Sequence, residues 1–235
     1  MKSIKRVLSF MGLVVIKKSN MSTLEGFLLR VKQNGILINT VYDIGAYQGE
    51  WAKQVQKILG RRTNFILFEP NKEHNALLKK SGFLFYNYLL SAKRGIMKFY
   101  SLGGTGDSYF KEHNPAYDSI APKMLMADTL DAIIAKEKLE LPDLIKLDTQ
   151  GSEVDILTGA VTALASAKIV ILEVPIVEYN IGAPNFVDYI NFMRNNGFIG
   201  VDVTEIHVLL SRLVQIDIAF VRQDLLDTSY IKWHS

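Results

Sequence analysis

Three carboxylates stand where apolar runs give way to turns. Asp43 ends Val41-Tyr42-Asp43-Ile44 just before Gly45-Ala46-Tyr47-Gln48-Gly49. Glu69 follows Phe65-Ile66-Leu67-Phe68 and precedes Pro70-Asn71, and Asp148 follows Leu144-Ile145-Lys146-Leu147 and precedes Thr149-Gln150-Gly151-Ser152-Glu153. Near-continuous apolar runs of this length read as buried parallel strands, and ligands of such sheets bind at the carboxyl ends of the strands. Gly45 and Gly49 let the backbone come close to a ligand, and the turn they form presents N–H groups near a helix N-terminus. Their spacing is Gly-x-x-x-Gly, whereas a pyrophosphate is cradled by Gly-x-Gly-x-x-Gly.

The charges narrow the chemistry. Asp43 would repel a diphosphate, while a donor carrying an ammonium and a sulfonium, as S-adenosylmethionine does, suits it. Glu69 lies about twenty positions past Gly49, where an acid accepts hydrogen bonds from both ribose hydroxyls. Pro70, Ala46 and the glycines complete the expected cofactor set. Asp148 is expected at the reacting methyl group; Lys146 shares its strand face, and Glu153 falls in the first turn of the next helix, favoured by the macrodipole. A dinucleotide-dependent oxidoreductase would also use a glycine turn and an acid after the second strand, but it calls for the other glycine spacing.

Methyl transfer to a hydroxyl is an in-line displacement that rewards alignment and is helped by a general base. Asp148, Glu173, His113 and His207 are the sequence's options for that base. Asp148 is preferred for proximity, and His113 for its place in a loop able to swing over an acceptor. Gln150, Glu153 and Glu173 are expected on the acceptor side. Tyr109 and Tyr117 are expected either to stack on a sugar ring or to cover the sheet edge, since aromatic side chains serve both ends. His74 reads as part of a surface helix. No histidine pair has metal-ligand spacing, so no metal is expected.

These residues need a frame that alternates strands and helices. Runs at Thr40–Ile44, Asn64–Phe68, Phe83–Leu90, Asp143–Leu147 and Lys168–Val174 predict parallel strands. Helices are predicted over Met21–Asn34, Gly49–Leu59, Lys72–Lys80, Ser152–Ala165 and Asn185–Asn196, several of them stopped by glycine. Gly200–Leu210 and Leu213–Arg222 are joined by two residues and predict an antiparallel hairpin. The expected fold is α/β, a Rossmann-like, doubly wound and mostly parallel seven-stranded sheet ending in that hairpin. Residues 1–35 read as an N-terminal helical extension and 36–235 as the main domain, interrupted at about 94–128 by an insertion suited to a lid or acceptor-binding element.

The chain has 235 residues, 49% of them hydrophobic and 22% charged, which suits one core and gives no sign of disorder. It has no cysteine, so disulfides, thiolate metal sites and a cysteine nucleophile are excluded. A net charge of +3 is too small for a nucleic-acid footprint. Lys2, Lys5 and Arg6 precede an apolar run from Val7 to Ile16 that ends at Lys17 and Lys18. That run lacks a small-x-small cleavage site and falls short of the roughly twenty residues of a membrane span. A cytoplasmic protein is expected, with the N-terminal helix either packed on the domain or in peripheral contact with a membrane. The oligomeric state is not legible.

Taken in order, Asp43-Ile44-Gly45-Ala46-x-x-Gly49, Phe68-Glu69-Pro70-Asn71, Thr129-Leu130-Asp131, Ile145-Lys146-Leu147-Asp148-x-x-Gly151-x-Glu153 and Leu172-Glu173-Val174 resemble the motifs of the FkbM-type methyltransferases over roughly Thr40 to Phe198. The resemblance implies a Rossmann-like fold, S-adenosylmethionine as donor and a hydroxyl acceptor on a sugar or natural product. Two positions depart from the family pattern: Gln150 stands where glutamate is common, and Ala92 stands where an acid often follows the third strand, which leaves adenine recognition to other residues, with Ser91 as the expected contact. A chain that binds the donor without turnover is the reading that Gln150 leaves open.

Overall fold

The computed structural model describes residues 18–102, 106–113, 115–178 and 180–226. The apolar run from Val7 to Ile16, the loop residues Gly103, Gly104 and Thr105, and His234 lie outside them. Seven strands form the main sheet: β1 (Thr40–Ile44), β2 (Asn64–Phe68), β3 (Leu84–Tyr86), β7 (Leu144–Leu147), β8 (Ile169–Pro175), β9 (Phe198–Leu209) and β10 (Arg212–Arg222). Their order is β3-β2-β1-β7-β8-β10-β9, and β10 alone runs against its neighbours. This is the Rossmann-like α/β sheet with a terminal antiparallel hairpin that the sequence predicts. Leu210 and Ser211 make the hairpin turn with φ of 48° and 62°. A two-residue loop with both φ positive matches the twist of the strands it joins.

Alternate residues of the central strands enter cores on opposite faces. Tyr42, Ile44, Leu147, Leu172 and Phe220 pack on one side. Val41, Leu67, Ile171 and Ala219 pack on the other with Phe27 and Leu28 of α1 (Leu24–Gln33). Thr23 starts α1 by accepting the Gly26 N–H at 3.1 Å, so this helix shares the core of the sheet. Among the described residues no helix is long and apolar enough to cross a membrane.

The remaining helices are α2 (Glu50–Leu59), α3 (Asn75–Ser81), α4 (Leu130–Glu137), α5 (Glu153–Thr158), α6 (Val161–Ser166) and α7 (Phe186–Asn195). Three predicted elements are divided, one of them the Lys72–Lys80 helix, whose first turn, Lys72–His74, is a 3-10 helix ahead of α3. The helix expected over Ser152–Ala165 breaks at Gly159, where an added Cβ would lie 2.5 Å from the Ser91 carbonyl oxygen. The strand expected over Phe83–Leu90 splits into β3 and β4 (Leu89–Leu90), and β4 leaves for a second sheet of order β4-β6-β5. There β5 (Gly95–Phe99) and β6 (Lys123–Asp128) pair antiparallel. This small sheet is the base of the insertion and stands beside the carboxyl edge of the main one.

Candidate functional site

At the end of β1 the chain turns so tightly that a Cβ on Gly45 (φ +78°) would sit 1.9 Å from the Asp148 carbonyl oxygen. Only glycine fits there, and the contact brings the ends of β1 and β7 together. The Gly45 and Ala46 N–H groups donate to the Phe68 carbonyl at 2.9 and 3.1 Å, which ties the turn to β2. Gly49, with φ +79°, caps α2. The Glu69 carboxylate accepts the Tyr47 N–H at 2.9 Å and the Asn71 N–H at 2.8 Å. Burial pushes its pKa up to about 7 against the pull of those two N–H groups. Each carboxylate oxygen accepts one N–H and keeps a lone pair for a ligand hydroxyl.

Glu69 and Asp148 line one cleft with Gly45, Tyr47, Pro70 and Ser152, closed from above by Asp107, Ser108 and Tyr109 of the insertion. His74 is also on its wall, 5% exposed, its ring 4.4 Å from that of Tyr47. The sequence places His74 on a surface helix. The turn from Lys72 to His74 is a 3-10 helix, and its tighter winding turns the imidazole inward.

Asp43 lies beside Lys146 in the β1–β7 register. It is 1% exposed, and neither carboxylate oxygen has a hydrogen-bond partner among the described residues. Burial raises its pKa to about 7, with Lys146 pulling the other way. The Lys146 ammonium donates to Asp148 at 2.6 Å. Burial opposes its charge, but Asp148, Asp217 and Asp43 outweigh that and raise its pKa, so it stays cationic. Burial likewise opposes ionisation of Asp148, and Lys146 overcomes it and holds the carboxyl below its ordinary value.

Past Asp148 the loop is held from inside. Glu153 is fully buried and accepts the Thr149 N–H at 2.6 Å, the Gly151 N–H at 3.0 Å and the Tyr189 hydroxyl. Contact with an acceptor is expected of Glu153 from its sequence position, but with no exposed surface and three internal donors it holds the loop in shape instead. Gln150, with φ 54°, donates its side-chain amide to Glu173 at 2.6 Å and to Asp148 at 3.2 Å. Burial and the nearby Asp148 push the Glu173 carboxyl well above its usual range.

Other predicted residues lie elsewhere. Tyr109 is on the cleft wall, its hydroxyl donating to Asp155 at 2.7 Å. Tyr117 is 3% exposed, with its hydroxyl on the Gly106 carbonyl, and supports the insertion rather than offering a face to a ring. His113 is off the cleft: its side chain is 53% exposed and 3.8 Å from Glu178, so the catalytic role expected of it has no support in this arrangement. Ser91 is buried at the end of β4, its N–H on the Asp128 carbonyl, and does not line the cleft.

The FkbM methyltransferase domain model matches residues 43–199, which spans every motif just described. The chain belongs to the FkbM methyltransferase family. S-adenosylmethionine is the methyl donor of that family, and the glycine turn, the Glu69 carboxylate and Asp148 on the cleft wall fit a cationic nucleoside, whereas Asp43, expected to touch the donor, is 1% exposed and off that wall. Solved structures share the fold at low identity. Magnesium protoporphyrin IX methyltransferase from Synechocystis PCC 6803, with bound SAH, is 10% identical at a TM-score of 0.50, with 94% of each chain covered. The methyltransferase FkbM from Methylobacillus flagellatus KT is 13% identical at 0.49, covering 78% of this chain and 45% of that one, so this chain spans under half the length of that protein. An O-methyltransferase from Bacillus cereus in complex with SAH is 12% identical at 0.49, covering 93% and 97%. The comparison with curated proteins gave no match.

One cluster bears on the expectation that no metal is held. Glu173, His207 and Asp217 each offer a ligand atom, all within 4.8 Å of one another. His207 Nε2 is 3.2 Å from Asp217, whose hydrogen bond raises the imidazole pKa against burial. A proton on His207 neutralises part of this acidic group, the same service an ion would perform. Sequence reasoning passes over Asp217 and Gln215 because no motif marks them. Their signal is the register: Gln215 pairs with Pro175, and Asp217 with Glu173, across β10 and β8.

Proposed function

We propose that this member of the FkbM family O-methylates a hydroxyl of a sugar, a polysaccharide or a natural product. The observation that carries the reading is the side-chain bridge Asp148–Gln150–Glu173, with distances of 3.2 and 2.6 Å from the Gln150 amide to the two carboxylates. It joins Asp148, on the wall of the donor cleft, to Glu173 beyond it, a paired acid to which an acceptor hydroxyl would pass its proton.

When bound, S-adenosylmethionine supplies a methyl group activated by its sulfonium. Glu69 would accept the ribose hydroxyls, and the Gly45 turn would let the donor lie against the backbone. Asp148 would place negative charge near its ammonium and sulfonium, with Lys146 fixing Asp148 and Asp43 buried beside that lysine. The carboxylate pair would take up the acceptor's hydroxyl proton as its oxygen is methylated, with S-adenosylhomocysteine as the leaving product. Asp148, held ionised by Lys146, and Glu173, whose proton affinity is raised, titrate together, and the proton belongs to the pair. A general base of this kind contributes about 10²–10⁴-fold.

The test is methyl transfer from isotopically labelled donor to a panel of hydroxyl, amine and carboxylate acceptors, scored by product mass and S-adenosylhomocysteine release. Transfer to hydroxyl oxygen supports the reading. Transfer to nitrogen or carboxylate oxygen alone replaces it.

A further inference from the structure

A second cavity, of about 300 Å³, opens on the far side of Gln150 from the donor cleft, between the end of β8, the Asn180–Asn185 loop and the start of α7. Glu173 forms its inner wall, and Phe186, Pro175 and Pro184 give it apolar sides. We propose that this cavity is the methyl-acceptor site and that it selects an uncharged, polyhydroxylated ring over an anionic one. The inference rests on the donor reading above and adds to it a place and a charge preference.

Three observations support it. The cavity wall carries polar groups that can accept a hydrogen bond from a hydroxyl, beside the Asn185 and Gln215 amides. Asn180, 5% exposed, spends its Nδ2 on the Gln150 carbonyl at 2.7 Å, and its Oδ1 has no partner among the described residues. A buried acceptor left unpaired is costly, and a ligand hydroxyl that reached it would offset that cost. Glu173 accepts from Gln150 through one oxygen, and its other oxygen lies 3.9 Å from His207. The charge is one-sided: the described lining residues include Glu173 and Glu178 and no lysine, arginine or histidine. A carboxylate or phosphate would meet two acids and no basic side chain on the cavity wall itself; His207 and His113 stand 3.9 and 3.8 Å from Glu173 and Glu178 and are spent on them. The apolar part has a shape: Phe186 keeps 37% of its surface exposed at the rim, an aromatic face for the C–H side of a sugar ring.

The cavity is also placed for the reaction. Glu173 faces it while its Gln150 partner reaches Asp148 on the donor cleft wall. A hydroxyl at Glu173 would thus be one side chain, that of Gln150, away from Asp148 on the donor-cleft wall. Phe186 and Asn180 take over the acceptor role that the sequence gives to Tyr117.

The experiment is saturation-transfer NMR on the full chain saturated with S-adenosylhomocysteine, using methyl β-glucopyranoside and methyl β-glucuronopyranoside as a neutral and anionic pair. The neutral glycoside is expected to bind at least tenfold more tightly. Phe186→Ala should weaken it about tenfold while S-adenosylhomocysteine affinity stays within twofold, which also shows that the variant is folded. Equal or tighter binding of the glucuronoside, binding of neither probe, or an unaffected Phe186→Ala overturns the proposal. Failure of the wild type to bind S-adenosylhomocysteine would instead strike the donor reading, so the two failures are distinct.

Discussion

The Gln150 side-chain amide lies 2.6 Å from the Glu173 carboxylate and donates to it. A neutral donor there lets two acids, Asp148 and Glu173, sit side by side without a third negative charge. Gln150→Glu would supply that charge in a buried place. Its pKa would be raised by both neighbours, so the penalty appears as pH increases and the group ionises. The variant should melt close to wild type at pH 5.5 and roughly 4–8 °C lower at pH 8.5, taking about 2 kcal/mol and 2–4 °C per kcal/mol for a domain of this size. Calorimetric melts at the two pH values check this.

Asp43 makes the opposite prediction. Its buried carboxyl has a folded pKa of about 7, above the unfolded value near 4. A group whose folded pKa is raised holds its proton more tightly in the native state, so native stability falls as pH rises from about 4 through 7. Asp43→Asn removes that loss. The stability of the variant relative to wild type should rise by about 3 kcal/mol between pH 5 and pH 8, two of the three tenfold steps in proton affinity at about 1.4 kcal/mol each. Lys146 then loses one of its three acids, which reduces the gain. Chemical denaturation at both pH values measures the difference.

Glu153 is predicted to be a stability residue. Glu153→Ala strands the Thr149 and Gly151 N–H groups and the Tyr189 hydroxyl in a buried place, and should cost about 3 kcal/mol or more. Tyr189→Phe removes one of those donors and leaves the loop's two N–H bonds in place, so it should cost about 1 kcal/mol. Urea midpoints rank the two variants, and a Glu153→Ala protein as stable as wild type would show that the loop does not depend on this carboxylate.

Donor affinity should depend on pH through Glu69. Its pKa of about 7 in the free protein is expected to fall when ribose hydroxyls donate to the ionised form. Binding then releases a proton, so the dissociation constant for S-adenosylhomocysteine should tighten from pH 6 to 8 and level off above that. Titrations in buffers of different ionisation enthalpy would report the proton directly.

The parts of the site that the sequence displays are those with short-range signatures. Asp43, Glu69 and Asp148 each end an apolar run at a fixed distance from a turn, and the fold delivers all three to one sheet edge. Direction is harder to read. Glu153 has the residue type of an exposed helix-start acid, and only the loop folded back over it shows that its partners are internal. His74 changes face because one turn is wound as a 3-10 helix. Asn180, Gln215 and Asp217 carry no local mark, because β10 meets β8 across about forty residues of intervening chain in a pairing that no short motif encodes.

The central claim, that the Glu69 cleft binds the methyl donor of this family, is tested most directly by calorimetric titration with S-adenosylhomocysteine of the wild type and of Glu69→Gln, with NAD as the control ligand. The account predicts binding to the wild type, at least tenfold weaker binding to a Glu69→Gln protein of unchanged fold, and no heat from NAD. Equal affinity in the two proteins, or binding of NAD in place of S-adenosylhomocysteine, would contradict it.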